Sequence, residues 1–267
     1  MKGAARALAV VVHGLGLVAF LYPLFLPSRA TAEGSAHVSE APLLFSLFAV
    51  LLIAVAVAEL RTGAMGAKEV ALLGVLAGLN AVLRLPGSFG GASLMFVLPI
   101  LCGAVFGARF AFLLGATSMA ASALITGGVG PWLPFQMWAL GWVGAGAAVV
   151  GSRVEGRARI AALCAYGWLA GMLFGAVANL WYWPYQQGAG ALSWHPGLGV
   201  VEGIRHYWRF YVVTSLAWDS GRALGNVVLI ALLGRSLLRI FEKFRARLNA
   251  TWMPAPVMDA RARVTAS

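Results

Sequence analysis

Runs of about 20 apolar residues recur along the chain, and no other feature constrains its fold more, because a run of that length can satisfy its backbone polar groups in lipid only as a helix. Candidate spans lie at roughly 7 to 26, 41 to 60, 67 to 85, 92 to 108, 110 to 126, 135 to 151, 160 to 181 and 209 to 238. The fourth and fifth form one continuous stretch. We divide it at Arg109, since a lone arginine midway along a single overlong span would be costly. With 61% hydrophobic and 11% charged residues, the composition argues against a water-soluble domain. The predicted fold is an all-α polytopic membrane helix bundle of about eight transmembrane helices.

A net charge of +11, from 20 Lys and Arg against 9 Asp and Glu, raises the question of a nucleic-acid partner. Basic residues interspersed among apolar runs report topology instead, so no nucleic acid is expected. With both termini cytoplasmic, the inner side collects Lys2, Arg6, Arg61, Lys68, Arg109, Arg153, Arg157, Arg159, Arg235, Arg239, Lys243, Arg245, Arg247, Arg261 and Arg263. The outer side keeps Arg29, Arg84, Arg205 and Arg209, and Arg222 falls inside the last run. This asymmetry predicts a multi-pass protein of the inner (cell) membrane. Lys2 and Arg6 before an apolar run, with Ala30-Thr31-Ala32 after it, imitate a secretory signal. The run exceeds a usual signal core, so an uncleaved helix is expected. Residues 248 to 267, with Pro254 and Pro256, read as a disordered cytoplasmic tail.

The last run carries Ser215, Asp219, Arg222 and Asn226 at spacings that place them on one helical face, with Trp208 and Tyr211 extending the stripe. Ionised groups at membrane depth face a protein interior or a wet cavity. The stripe is therefore either a neutral pair that holds helices together or the wall of a solute pocket. The outer connectors favour the pocket. One, "GGVGPWLPFQMW", contains Trp132, Phe135, Gln136 and Trp138; the other contains Tyr182, Trp183, Tyr185, Gln186, Gln187, Trp194, His195, Tyr207 and Trp208. The inner connections at 61 to 68, at Arg109 and at 152 to 159 hold no Trp or Tyr. An interfacial belt would serve both sides, whereas aromatic walls with a few polar anchors suit a ring-containing solute. Asp219 and Arg222 would offer one acceptor and one donor to a zwitterionic or multiply polar ligand, with Asn226 at the floor.

Other chemistries find no motif. His13, His37, His195 and His206 are dispersed, Cys102 and Cys164 lie alone in apolar stretches, and HExxH and GxSxG are absent. "PGSFGG" does not sit between a strand and a helix, so it is not a nucleotide signature. In the third run Gly74 and Gly78, and Ala77 and Ala81, recur at four-residue spacing, which lets another helix approach closely.

Ala77/Ala81, "LRLPGSFGG", "ALITGGVGPWLPFQMWALGWVGA" and "TSLAWDSGRALGNVVLIALLG" followed by basic residues together resemble the S components of energy-coupling factor (ECF) transporters. The resemblance covers residues 67 to 247 as a six-helix substrate-binding domain and leaves residues 1 to 66, two further helices, outside the family pattern. It implies capture of a vitamin or related micronutrient, a transmembrane coupling subunit and two cytoplasmic ATPases as partners, and ATP used by those partners, with no cofactor held by this chain and no enzymatic activity. Gly74, Ala77, Gly78 and Ala81 would dock on the coupling subunit. Loops 86 to 93 and 127 to 135 would be lids. Arg84, Phe89, Trp132, Phe135, Gln136, Asn179, Trp183, Tyr211, Ser215, Asp219, Arg222 and Asn226 would line the pocket. The alternatives are a solitary gradient-driven permease with Asp219 as a proton site, and an intramembrane enzyme using Asp219 and His206 on a lipid-linked substrate.

Overall fold

The computed structural model describes residues 2–25, 41–61, 65–86, 89–185, 190–195 and 197–249. Its helices are α1 (Lys2–Phe25), α2 (Ala41–Arg61), α3 (Ala67–Val82), α4 (Val97–Phe106), α5 (Ala108–Thr126), α6 (Leu133–Arg153), α7 (Gly156–Asn179), α8 (Val200–Thr214) and α9 (Leu216–Asn249). No strand occurs among the described residues, so the all-α class holds. Four segments, Ala108–Thr126, Leu133–Arg153, Gly156–Tyr185 and Leu216–Leu248, are long and apolar enough to cross a membrane. Shorter apolar helices occupy Ala7–Tyr22, Phe45–Val55 and Leu94–Phe106. Exposed Val75, Leu79, Leu124, Val149, Leu173, Leu224 and Leu232 give the bundle an apolar exterior suited to lipid.

Small residues set the helix spacing. A Cβ on Gly115 would stand 2.5 Å from the Leu140 carbonyl oxygen, and one on Gly144 2.7 Å from that of Ala111, so α5 and α6 cross backbone against backbone. Side chains at α7 positions 167, 171 and 175 are likewise missing where α9 passes: a Cβ on Gly171 would meet Ala223 at 2.7 Å, and one on Gly175 would collide with the Asp219 carboxylate. The freed carbonyls take polar partners from α9. Asn226 Nδ2 donates to the Gly167 carbonyl at 2.9 Å and Arg222 Nη1 to that of Gly171 at 3.2 Å. At the opposite end of the bundle from the α9 N-terminus, α4 stops at Gly107 (φ 91°) and leaves carbonyls without helical partners. Arg159 Nη2 donates to Ala104 at 2.7 Å and Arg245 Nη1 to Val105 at 2.8 Å, while Arg159 also pairs with Glu242 at 2.5 Å. Basic residues expected to mark topology thus also cap a helix.

α1 and α2 pack on α6 through aromatic contacts. Trp138 is fully buried, donates its indole N–H to the Val12 carbonyl at 3.1 Å and stacks on Phe48 with centroids 3.7 Å apart. Trp142 donates to His13 Nδ1 at 3.1 Å, and Phe20 meets Phe135 edge to face.

Element boundaries depart from expectation where local chemistry competes. The α4/α5 break falls at Gly107, the residue able to take positive φ, and Arg109 lies in the first turn of α5. α6 begins at Leu133, so Phe135 and Gln136 are helical. Gly127 (φ 67°) ends α5, and Pro134 sits in the first turn of α6, so much of the glycine and proline content of 127–138 stops one helix and starts another. The last run is two helices, broken at Ser215 (φ −126°, ψ −28°). There Thr214 Oγ1 donates to the Phe210 carbonyl, a bond that competes with the helical ladder, and Asn179 Nδ2 donates to Ser215 Oγ at 2.7 Å. The Ala30-Thr31-Ala32 stretch, Gln186, Gln187, Gly87 and the tail beyond residue 249 lie outside the described residues.

Candidate solute-binding site

Polar groups on α3 and α5 run in step. Asn80 Nδ2 donates to Ser118 Oγ at 2.9 Å, and one turn on Arg84 Nη1 donates to Ser122 Oγ at 2.8 Å and to Met119 Sδ at 3.3 Å. Equal four-residue steps on both elements mean that α3 and α5 run parallel, which brings Arg84 to the end of the bundle where α5 stops and α6 begins. Arg222 arrives there from α9. It pairs with Asp219 one turn earlier, and its guanidinium carbon lies 5.6 Å from the Phe96 ring centroid and 5.1 Å from that of Phe174.

Between the two arginines lies a cavity of about 230 Å³. Arg84, Arg222, Gln136 and Ser93 supply its polar lining, and Met95, Phe96, Met119, Phe174 and Trp218 its apolar walls. Gln136 Oε1 is buried without a hydrogen-bond partner among the described residues. No family model matches the sequence, and no curated protein or solved structure is similar to it.

Gly91, also in the lining, belongs to a roof built from the loop after α3. Phe89 and Ala92 exchange backbone hydrogen bonds of 3.0 Å around Gly90 (φ 54°) and Gly91 (φ 92°), a tight reversal that needs positive φ at both central residues. The tip lies directly on α9. A Cβ on Gly91 would collide with the Trp218 carbonyl, one on Gly221 with the Gly90 carbonyl, and one on Gly225 would come within 2.5 Å of Ala92 Cβ. Phe89 itself points outward, 95% exposed.

Gly221→Ala tests that contact. In an unobstructed helix interior Gly→Ala gains up to about 1 kcal/mol, but here the methyl group must displace the hairpin, and overpacking of this kind costs about 1–3 kcal/mol. Gly221→Ala is therefore expected to lower the thermal unfolding temperature in detergent, whereas Gly78→Ala, with nothing within 4 Å, leaves it unchanged or higher. Equal behaviour of the two variants would remove the roof from α9.

Of the residues expected in the pocket, Arg84, Gln136 and Arg222 line this cavity. Asp219 is buried behind Arg222 against Gly175, and Asn226 is buried further along the α7/α9 seam on the Gly167 carbonyl. Asn179 and Ser215 bond to each other at the α8/α9 break. Tyr211, at the end of α8, is buried and stacks with Trp208. Trp183 belongs to a separate cluster with Trp194 and Phe210. Phe135 is fully buried against Phe20 and Trp181, away from the cavity lining. Trp132 folds back on its own loop, donating to the Gly128 carbonyl at 3.2 Å. The roof is thus the 89–92 hairpin, and the 127–135 connector contributes no residue to the lining.

His206 approaches the Ser193 carbonyl at 2.9 Å and Glu202 at 3.5 Å, a different set of partners from those of Asp219. Among the expected docking residues, Ala77 and Ala81 are buried within the chain, and Gly74 and Gly78 lie open. Sequence reasoning overlooks Phe96, Met119, Phe174 and Trp218, which look like ordinary core. The available pointer was Ser118 and Ser122, a polar step inside an apolar run.

Proposed function

We propose that this chain is the solute-capturing membrane subunit of an ATP-driven importer of the ECF type. The observation that carries the reading is a cavity holding two guanidinium groups and an amide oxygen without a partner among the described residues, roofed by a glycine hairpin at one end of a membrane helix bundle. A compact pocket with few polar anchors suits binding of a small molecule. In this reading the chain crosses the inner membrane eight times with both termini cytoplasmic, and the hairpin faces outward. A vitamin-like solute enters beneath the hairpin. A transmembrane coupling subunit docks on the exposed Gly74/Gly78 face of α3, and two cytoplasmic ATPases supply the energy, so that the chain is not itself an enzyme.

Uptake of the solute is expected only when the chain is coexpressed with the coupling subunit and the ATPases. Accumulation by the chain alone would make it a gradient-driven permease instead. Leucine at Gly74 or Gly78 should abolish uptake while the purified variant still retains solute; full uptake by both variants would remove the docking face from α3.

A further inference from the structure

From the charges around the cavity we infer that its ligand is a compact monocarboxylate carrying one hydrogen-bond donor and an apolar body. The inference rests on the capture reading above and narrows its substrate class. Arg222 already has an acidic partner in Asp219. Arg84 is half-buried and bonded only to neutral groups, the Ser122 hydroxyl and the Met119 sulfur, and among the described residues no acidic side chain pairs with it. The cavity therefore presents one surplus positive charge. A guanidinium withdrawn from water without a counter-ion is costly, and its planar fork matches a carboxylate in two parallel hydrogen bonds. A single negative charge completes the balance. A phosphate monoester, with about −1.5 to −2 charges, would overshoot it, and an ammonium group would add to the excess.

The remaining lining fixes the rest of the molecule. Gln136 Oε1 is a buried acceptor lacking a donor among the described residues, so the ligand supplies an N–H or O–H there. Met95, Phe96, Met119, Phe174 and Trp218 form an apolar wall for the body between the two polar ends. The cavity's volume of about 230 Å³ suits a compact body.

The test uses the full chain purified in detergent. Small molecules released on denaturation are identified by mass spectrometry, and benzoate, benzamide, benzylamine and phenyl phosphate are compared for protection against thermal unfolding in the wild type, Arg84→Gln and Arg84→Lys. The expected result is a released monocarboxylate that carries an N–H or O–H donor, and protection by benzoate, which probes the charge alone, above the other three. Arg84→Gln should weaken the benzoate effect about 30-fold or more, and Arg84→Lys should retain part of it. A neutral or cationic solute, phenyl phosphate or benzamide protecting as well as benzoate, or benzoate protection untouched in Arg84→Gln would overturn the monocarboxylate assignment and leave the capture reading standing. No released solute together with no protection by any probe would overturn both.

Discussion

Replacing Asp219 with leucine is expected to cost about 3–5 kcal/mol of stability, and adding Arg222→Met to that variant to recover most of the loss. Asp219 lies in the α7/α9 contact, 2% exposed, and its removal leaves the Arg222 guanidinium, 11% exposed beside the cavity, without its counter-charge. Replacing both with apolar groups of similar size removes the charge altogether and is often neutral. The comparison is a double-mutant cycle on the purified chain, unfolded by heat or denaturant in detergent. Additive single effects would mean that the two groups are separately solvated. The cycle also separates two roles of Arg222, because the double variant keeps the fold while losing a guanidinium from the cavity lining.

Trp138→Ala is expected to have an effect of similar size, about 3–5 kcal/mol for an emptied tryptophan site, but localised differently. The indole fills the space between α1, α2 and α6, donates to the Val12 carbonyl and lies flat on Phe48. Its loss should raise hydrogen exchange along α1 and α2 while the glycine seam between α7 and α9 stays protected. A uniform rise through all helices would contradict a local role. Trp132→Phe serves as the comparison, since Trp132 is 37% exposed, donates to its own loop at Gly128 and meets Trp181 with ring centroids 6.5 Å apart, a contact that Phe can keep, and it should change stability by less than about 1 kcal/mol.

The helical class and the break near Arg109 were legible because they rest on length and on the cost of polar groups in lipid, which are properties of a segment by itself. Arg222 and Gln136 were legible for the same reason, as polar groups where apolar ones are expected. Direction was not legible. Trp132, Phe135 and Trp183 are aromatic whether they face a solute, a lipid headgroup or a neighbouring helix, and only the position of α1 decides that Phe135 belongs to the core. The α3 small residues show the same limit. Gly74/Gly78 and Ala77/Ala81 mark two adjacent faces of one helix, and the placement of α5 buries the second pair and leaves the first open. The sequence offers two lid loops, 86–93 and 127–135, because Gly-Pro content signals a reversal equally well when it closes a pocket or when it caps two helices.

The α7/α9 seam bears on how the chain is made. α9 alone would leave Asp219, Arg222 and Asn226 without the partners that α7 provides, and polar groups of this kind are unfavourable wherever they meet hydrocarbon. α7 precedes α9 in the chain and offers bare carbonyls at Gly167 and Gly171 and a hollow at Gly175 that receive those three groups. Released in chain order, the acceptor is already in the membrane when the polar helix leaves the insertion machinery. Integration of the last helix is therefore a cooperative act of two segments, and a bulky residue on the α7 glycine face would show first as a defect in biogenesis, before any defect in binding.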